Sequence, residues 1–197
     1  MIIIHENLPR EAERVALRVK EVFGFDNEII SKDLTGAFVP VPNTNGFYSP
    51  SNRIQEILSE PKKKILIVTS KDLYASGDGK NLDWILGYNW RNIHLTSTAR
   101  MKGFNNELVA TPKVSRERYV LGVETAVLHE IGHSLIQAQH FREASKVINP
   151  AGYELALGAH CDDKTCVMHE SIDLDILRPD LLCGRCKSSI KSGDSYI

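Results

Sequence analysis

The sequence lacks several features that would each assign it to a particular class of protein. Its formal net charge is only −1, so it has no excess of one sign of the kind that nucleic-acid and membrane-surface binders carry. No apolar run approaches the roughly 18 residues that a membrane-spanning helix needs. The first residues, MIIIHENLPR, contain too brief an apolar run for a signal peptide. We therefore expect a cytoplasmic protein with no nucleic-acid and no membrane partner.

Cysteine is absent from the first 160 residues, and all four cysteines lie in the last fifth of the chain. Cys161 and Cys166 form a C-x4-C pair, and Cys183 and Cys186 form a C-x2-C pair, with 16 residues between the pairs. In a reducing compartment, such clustering favours metal ligation over disulfides. Four thiolates in two close pairs are typical of a closed, tetrahedral structural zinc site. A thioredoxin-like redox pair is the alternative, but it does not need a second pair.

The order of predicted elements indicates an α/β (α+β) fold. With 197 residues, 42% of them hydrophobic, the chain can bury the core of one compact domain with a small appendage. Apolar patterning predicts strands at 1–5, 27–34 and 64–70, two paired strands within 84–98, and helices at 9–24, at 51–60 and from 116 onward. Residues 35–50 are predicted to form a loop. This order predicts a mixed, mostly parallel twisted sheet with an antiparallel edge strand, packed by helices.

The last predicted helix carries the motif H-E-x-x-H at His129, Glu130 and His133. Two histidines four residues apart project from the same face of a helix, so both imidazoles can reach one ion. Glu130 then lies where a carboxylate can contact a water on that metal without being a ligand. The flanking residues are mostly apolar, and unpaired ionisable groups in such surroundings would be costly without a metal. Two ordinary core histidines at this spacing are the alternative.

The motif does not continue in the usual way to a third ligand. An extended H-E-x-x-H-x-x-G-x-x-H motif needs glycine at position 136 and histidine at 139, whereas this chain has Ile136 and Gln139. His140, one place late, would lie about 10 Å beyond His133 along an unbroken helix and could not reach the ion. Residues 137–148 favour helix, and Asn149-Pro150-Ala151-Gly152 would end it. A helix from 116 to 148 would be about 50 Å long, so we expect it to protrude, bend or break.

The motifs taken together resemble the archaemetzincins, a family of zinc metallopeptidases in the metzincin clan. The matching residues are His129, Glu130, His133, His160, Cys161, Cys166, Met168, Cys183 and Cys186. The resemblance implies a zinc-binding active-site helix, His160 as the third ligand of the catalytic zinc, and a small C-terminal four-cysteine zinc subdomain. It also implies two Zn²⁺ per chain, with Met168 in a tight turn as an apolar floor beneath the ligands.

The chain departs from this family in the spacing of its histidines. His133 and His160 are separated by 26 residues, where the family keeps about five, so we expect an insertion. We divide the chain into an N-terminal mixed-sheet subdomain (1–135), the insertion (136–157) and a C-terminal subdomain (158–197). The longer loop adds only about 1.5 kcal/mol of closure entropy. A structural zinc site supplies on the order of 10 kcal/mol, which favours His160 over His140, although the insertion could impair or gate the site.

The expected function is hydrolysis of a peptide or protein substrate by a monomeric zinc metallopeptidase, with Glu130 as general base and then general acid. A substrate would pair with the edge strand within 84–98, where Trp84, Tyr88 and Trp90 could shape subsites or pack in the core. His94 and His169 are predicted to be structural. The rival hypothesis is a degenerate, non-catalytic peptidase-like binding module that keeps only the four-cysteine zinc. A zinc-ribbon nucleic-acid binder would need a basic face, which the charge balance argues against.

Overall fold

The computed structural model describes most of the sheet and helix framework. The described residues are 1–48, 54, 63–74, 84–90, 92–103, 113–136, 146–148, 154–156, 160–170, 173–177 and 180–190. The helix expected at 51–60 lies outside them apart from the helical, buried Ile54. Among the described residues, no helix is both long and apolar enough to cross a membrane.

The described elements follow the chain in an order of strands interrupted by two longer helices. The strands are β1 (Ile2–His5), β2 (Glu28–Ser31), β3 (Val39–Pro40), β4 (Phe47–Tyr48), β5 (Ile65–Thr69), β6 (Leu73–Tyr74), β7 (Trp84–Ile85), β8 (Gly87–Trp90), β9 (Ile93–Ser97), β10 (Lys146–Ile148) and β11 (Glu154–Ala156). The helices are α1 (Pro9–Phe23), α2 (Arg116–Leu135) and the short α3 (Gly184–Ser188), with a 3₁₀ turn at Thr35–Ala37.

The main sheet has five strands in the order β2-β1-β5-β9-β8. The first four run parallel to one another, and β8 pairs antiparallel with β9 at the edge. The predicted mixed, mostly parallel sheet with an antiparallel edge strand is therefore confirmed. Among the described residues β8 is the last strand of the sheet, and a strand in this position presents backbone groups to which another strand can pair.

Both faces of this sheet are covered, which explains the continuous apolar run of β5. Ile3 and Leu66 face one side and pack into a core with α1 and α2. Ile4 and Ile67, one residue further along each strand, face the other side and pack with residues of the segment after β2. The alternation follows from the two-residue period of a strand.

The segment after β2, predicted to be a loop, contains the 3₁₀ turn and two short strands. β3 and β4 form a second sheet with β6 and β7, in the order β3-β4-β6-β7. At its border Asp72 accepts two hydrogen bonds from Arg100, each 2.7 Å long. The two side chains are largely buried, so this ion pair links the end of β5 to the end of β9 through a low-dielectric region.

Helix α2 ends earlier than the sequence pattern predicts. It begins at a Ser115 cap, whose side chain accepts a hydrogen bond from Arg118 N. At Ile136 the backbone turns to an extended conformation (φ −102°, ψ 112°), and this residue bridges antiparallel to Ile190. β-Branched residues favour such a conformation, so no glycine is needed to leave the helix.

Residues 137–148 favour helix by composition, but the last three of them form a strand. Lys146–Ile148 is strand β10, paired antiparallel with β11, and the predicted helix stop at 149–152 lies between the two strands. Val147 and Ile148 are β-branched residues, which are enriched in strands. Residues 137–145, including Gln139 and His140, lie outside the described part of the chain. The division into 1–135, 136–157 and 158–197 stays a prediction.

Candidate metal centres

Three histidines from two distant parts of the sequence meet beside the main sheet. His129 and His133 project from α2, and His160 begins the segment 160–170. One nitrogen from each ring can be chosen so that all three atoms lie within 4.8 Å of one another. The Nε2 atoms of His129 and His133 are 3.0 Å apart, and a tetrahedral zinc with Zn–N bonds of about 2.0–2.1 Å would hold them about 3.3 Å apart. The arrangement can therefore hold one metal ion.

The environment keeps the α2 imidazoles neutral, which is the state that binds a metal. Burial lowers the pKa of His129 to about 4. Burial, reinforced by the neighbouring His129 and His160, lowers the pKa of His133 to about 3. The Nδ1–H of His129 donates to the carbonyl oxygen of Val167 at 2.8 Å. This bond leaves Nε2 of His129 facing the other histidines, as in ligating histidines held by a backbone carbonyl.

Glu130 is buried next to these histidines but belongs to neither metal-ligand set. Burial raises the pKa of its carboxyl to about 8, and a hydrogen bond with the Asn89 side chain opposes this rise. A Cβ atom added to Gly87 would lie 3.0 Å from Cγ and 3.2 Å from Cδ of Glu130. The carbonyl oxygen of Leu95 would lie closer still, at 2.3 Å, so the backbone of β9 and the Glu130 side chain together leave no room for a side chain at Gly87.

Met168 lies under the histidine-bearing turn of α2. It is fully buried, and its Sδ would lie 2.2 Å from a Cβ added to Gly132. The glycine inside H-E-x-x-H therefore has a packing reason, because only a residue without a side chain leaves room for this thioether. The floor role that the family resemblance implies for Met168 stays a prediction.

The four cysteines form a second, separate cluster of possible ligands. All four side chains are buried thiols, and one ligand atom from each lies within 4.8 Å of the others. The sulfurs of Cys161 and Cys183 are 3.8 Å apart, and those of Cys166 and Cys186 are 3.7 Å apart. A tetrahedral zinc with Zn–S bonds of about 2.3 Å separates its sulfurs by about 3.8 Å. The cluster thus has the dimensions of a four-thiolate zinc site.

Proton affinities in this cluster are strongly perturbed. Burial raises the pKa of the Cys161 thiol to about 12. The hydrogen bond between the Cys166 and Cys186 thiols lowers the pKa of Cys166 and raises the pKa of Cys186. A buried cation would stabilise all four thiolates and displace their protons.

The two clusters share one short segment of backbone. His160 precedes Cys161, and the amide of Cys161 donates to the carbonyl of Met168 at 2.8 Å. The carbonyl of the preceding residue, Val167, accepts the hydrogen bond from His129. Val167 N in turn donates to Leu181 O at 2.7 Å, two residues before Cys183. The segment that supplies two cysteines therefore also positions two of the three histidines.

Several residues near the histidines were not identified from the sequence. The Val167 carbonyl, Gly87 and Asn89 carry no sequence signal, since their roles depend on contacts across the fold. His94 was predicted to be structural, and it is fully buried between β9 and α2. His169, also predicted to be structural, is close enough to lower the pKa of His129.

The aromatic residues expected near the substrate are only partly described. Tyr88 is half-buried and packs against the core on the sheet face away from α2. Trp84 and Trp90 lie in β7 and β8, and their side chains are outside the described part of the structure. Their predicted role in subsites stays a prediction.

Comparisons with known proteins identify the fold through structure alone. No family model matches the chain, and no curated protein matches it. Three solved structures share its fold over nearly the whole chain, and all three are zinc peptidases or archaemetzincins. The α/β architecture with a buried four-cysteine group is therefore that of a metallopeptidase fold, and the resemblance to archaemetzincins is confirmed at the level of fold.

The individual matches are distant in sequence. An archaemetzincin from Archaeoglobus fulgidus, crystallised with malonate, is 22% identical with a TM-score of 0.60, covering 96% of this chain and 99% of that one. An archaemetzincin from Methanopyrus kandleri is 20% identical with a TM-score of 0.59, covering 95% and 90%. A zinc-dependent peptidase from Methanocorpusculum labreanum is 16% identical with a TM-score of 0.57, covering 96% and 99%.

Proposed function

We propose that this protein is a zinc-dependent metallopeptidase that hydrolyses a peptide or protein substrate. The single observation that carries the proposal is the convergence of His129, His133 and His160 beside a buried carboxylate, Glu130. Three imidazoles leave one position of a tetrahedral ion open, which is typical of catalytic rather than structural zinc sites. The likeness to solved zinc peptidases supports the same conclusion.

Two zinc ions per chain are proposed, one held by the three histidines and one by Cys161, Cys166, Cys183 and Cys186. The four-thiolate site would be structural, because all its coordination positions are taken by protein. The histidine-bound zinc would act as a Lewis acid on the scissile carbonyl and lower the pKa of water toward neutrality.

Glu130 is the proposed general base and acid. Its carboxylate accepts a proton from the attacking water and returns it to the leaving amine. Its burial favours proton uptake, since desolvation raises its pKa to about 8; a zinc ion nearby would lower this value by its charge. Met168 takes no part in proton transfer and supports the ligands by packing against Gly132.

The substrate is proposed to lie in extended form along β8. This strand is the edge of the main sheet as far as the described residues go, and a Cβ added to its residue Gly87 would lie 3.0 Å from Cγ of Glu130. An added strand would satisfy the open backbone groups of β8 by main-chain hydrogen bonds, which would bring its peptide bonds beside the histidines. Sequence preference would then come from side chains around the cleft.

The alternative of a non-catalytic binding module was based on the missing glycine and the long spacing to the third ligand. One observation weighs against each of these arguments. Ile136 leaves the helix in an ordinary extended conformation, and His160 lies with the other histidines despite the 26 intervening residues. Gating by residues 136–157, cytoplasmic location and a monomeric state remain predictions.

The experiment is a comparison of wild type with Glu130→Gln on a mixed peptide library, with and without a zinc chelator. We expect wild type to cleave peptides, the chelator to stop cleavage, and Glu130→Gln to lose at least about 100-fold in rate while its zinc content is unchanged. Asn45→Ala, an exposed change in the β3–β4 turn, is the control and should cleave like wild type. Full activity in Glu130→Gln would remove the carboxylate from the mechanism, and an inactive, zinc-loaded wild type would favour the binding module.

A further inference from the structure

The residue that would transfer the proton, Glu130, is flanked by an unusual pair on the main sheet. Asn89 of β8 and His94 of β9 are directly opposed in the antiparallel register. Directly opposed residues project to the same face of a sheet. For this pair it is the face that α2 covers, because His94 contacts α2. One polar pair on the sheet therefore faces the centre of the histidine-bearing helix.

The His94 side chain forms a hydrogen bond with the main chain of Glu130. The His94 side chain is fully buried, and its Nδ1–H donates to the carbonyl oxygen of Glu130 at 3.2 Å. Its Nε2 lies 3.4 Å from Oγ of Ser134, one turn further along α2. Burial lowers the pKa of His94 to about 4, so the ring is neutral near pH 7. One imidazole thus ties two successive turns of α2 to the sheet.

The Asn89 side chain contacts the side chain of Glu130. Gly87 and Asn89 are two residues apart and so share one face of β8. The Glu130 side chain passes against Gly87, at 3.0 Å from the position of an added Cβ, and hydrogen-bonds the Asn89 side chain. Asn89 is exposed at the sheet edge, which is where the proposed substrate would lie.

We propose that Asn89 and His94 are positioning residues that together fix Glu130. His94 holds the main-chain carbonyl of Glu130, and Asn89 holds the side-chain carboxylate of Glu130. The inference rests on the proposed function, since it assigns these residues to the same reaction. The main-chain contact sets where the turn of α2 lies against the sheet, and the side-chain contact sets the direction of the carboxylate. A displacement of about 1 Å in a catalytic group can reduce the rate about 100-fold.

The test on the exposed residue uses Asn89→Ala, Asn89→Asp and Asn89→Gln. Alanine removes the amide, aspartate keeps its shape but cannot donate, and glutamine keeps the donor. We expect kcat to fall about 10- to 100-fold in the first two variants, with KM within about twofold and zinc content unchanged, and to recover at least partly in Asn89→Gln. Asn45→Ala again serves as the matched control. A main effect on KM, or no effect in any variant, would overturn the role of Asn89.

The test on the buried residue uses His94→Gln and His94→Leu, each checked for a folded, zinc-loaded state. Glutamine can still donate to the Glu130 carbonyl, whereas leucine fills the space without a donor. We expect kcat to fall about 10- to 100-fold in His94→Leu and less in His94→Gln. Equal kcat in the two variants would overturn the positioning role. Should His94→Leu fail to fold, His94→Gln and the Asn89 variants still decide the proposal.

A readout independent of turnover separates this inference from the proposed function. In crystals of zinc-loaded Asn89→Ala we expect the Glu130 carboxylate to move by more than about 0.5 Å or to adopt two conformers, relative to wild type. An unmoved carboxylate would overturn the inference even if the enzyme is active. A moved carboxylate in a protein whose wild type cleaves no peptide would uphold the positioning and refute the peptidase.

Discussion

The contact between Gly132 and Met168 allows a quantitative test of how the histidine-bearing helix is supported. In Gly132→Ala the new Cβ would start 2.2 Å from the Met168 sulfur and 3.0 Å from its methyl carbon. Ordinary contact needs about 3.5–4.0 Å, so the sulfur must move by more than about 1 Å in a fully buried site. Overpacking of this kind costs about 1–3 kcal/mol, and alanine returns about 1 kcal/mol through helix propensity.

We therefore expect Gly132→Ala to lower the free energy of unfolding by about 0–2 kcal/mol in the wild-type background. Met168→Ala alone should cost about 2–5 kcal/mol because it leaves a cavity. In the Met168→Ala background the clash is gone, so the same Gly132→Ala change should stabilise by up to about 1 kcal/mol. The sign of the Gly132→Ala effect should thus reverse between backgrounds.

The assay is urea unfolding of the four proteins at fixed zinc and protein concentration, since bound metal contributes to apparent stability. Gly122→Ala is the matched control, because it lies in the same helix and its Cβ would meet only side-chain atoms at 3.3 Å or more. Alanine should contribute helix propensity here as well, so the effect of Gly122→Ala should be the same in both backgrounds. An equal cost of Gly132→Ala with and without Met168 would refute the packing argument.

Three further predictions follow from the described contacts. Cys186→Ser should lose the structural zinc and also weaken zinc binding at the histidines, because the same segment carries His160. Metal analysis should give well under one zinc per chain, and full retention of zinc at the histidines would contradict the coupling. Arg100→Ala should lower the free energy of unfolding in urea by about 3–5 kcal/mol, because it leaves buried Asp72 without this partner. The double variant Asp72→Asn with Arg100→Leu should lose less stability, and an equal loss would argue against an unpaired charge as the cause. Burial in the folded chain lowers the pKa of His94 from 6.5 to about 4, so between these two pH values the unfolded chain binds more protons, and the free energy of unfolding falls by about 3 kcal/mol as the pH decreases through this window. Urea unfolding at pH 7 and at pH 4.5 should show a smaller loss of stability for His94→Gln than for wild type. An identical loss would contradict a neutral buried ring.

The parts of the fold that could be predicted from sequence are those with strong local patterns. The apolar run of β5, the β8–β9 pair and the start of α2 each depend on neighbouring residues, and each was predicted in type. The first strand of the pair was predicted too long, because Trp84–Ile85 forms the separate strand β7 of the second sheet. The end of α2 could not be predicted in this way. Ile136 is extended because it pairs with Ile190, 54 positions later, and helix propensity contains no information about such a partner.

The site shows the same division between local and distant causes. H-E-x-x-H and the cysteine pairs are local patterns, and both identified residues that the structure brings together. The Val167 carbonyl, the gap at Gly87 and the anchor at His94 act through the register of β8 and β9 or through a backbone atom. A backbone carbonyl has no residue type to recognise, so such contacts emerge only once the tertiary structure is known.

The most direct test of the two-zinc account is an anomalous-scattering map at the zinc edge from crystals of the full chain. The account predicts two peaks, one about 2.3 Å from the four cysteine sulfurs and one about 2.0–2.1 Å from a nitrogen of each of His129, His133 and His160. A map with only the sulfur-bound peak at saturating zinc, and the ring of His160 turned away from the other two, would contradict it.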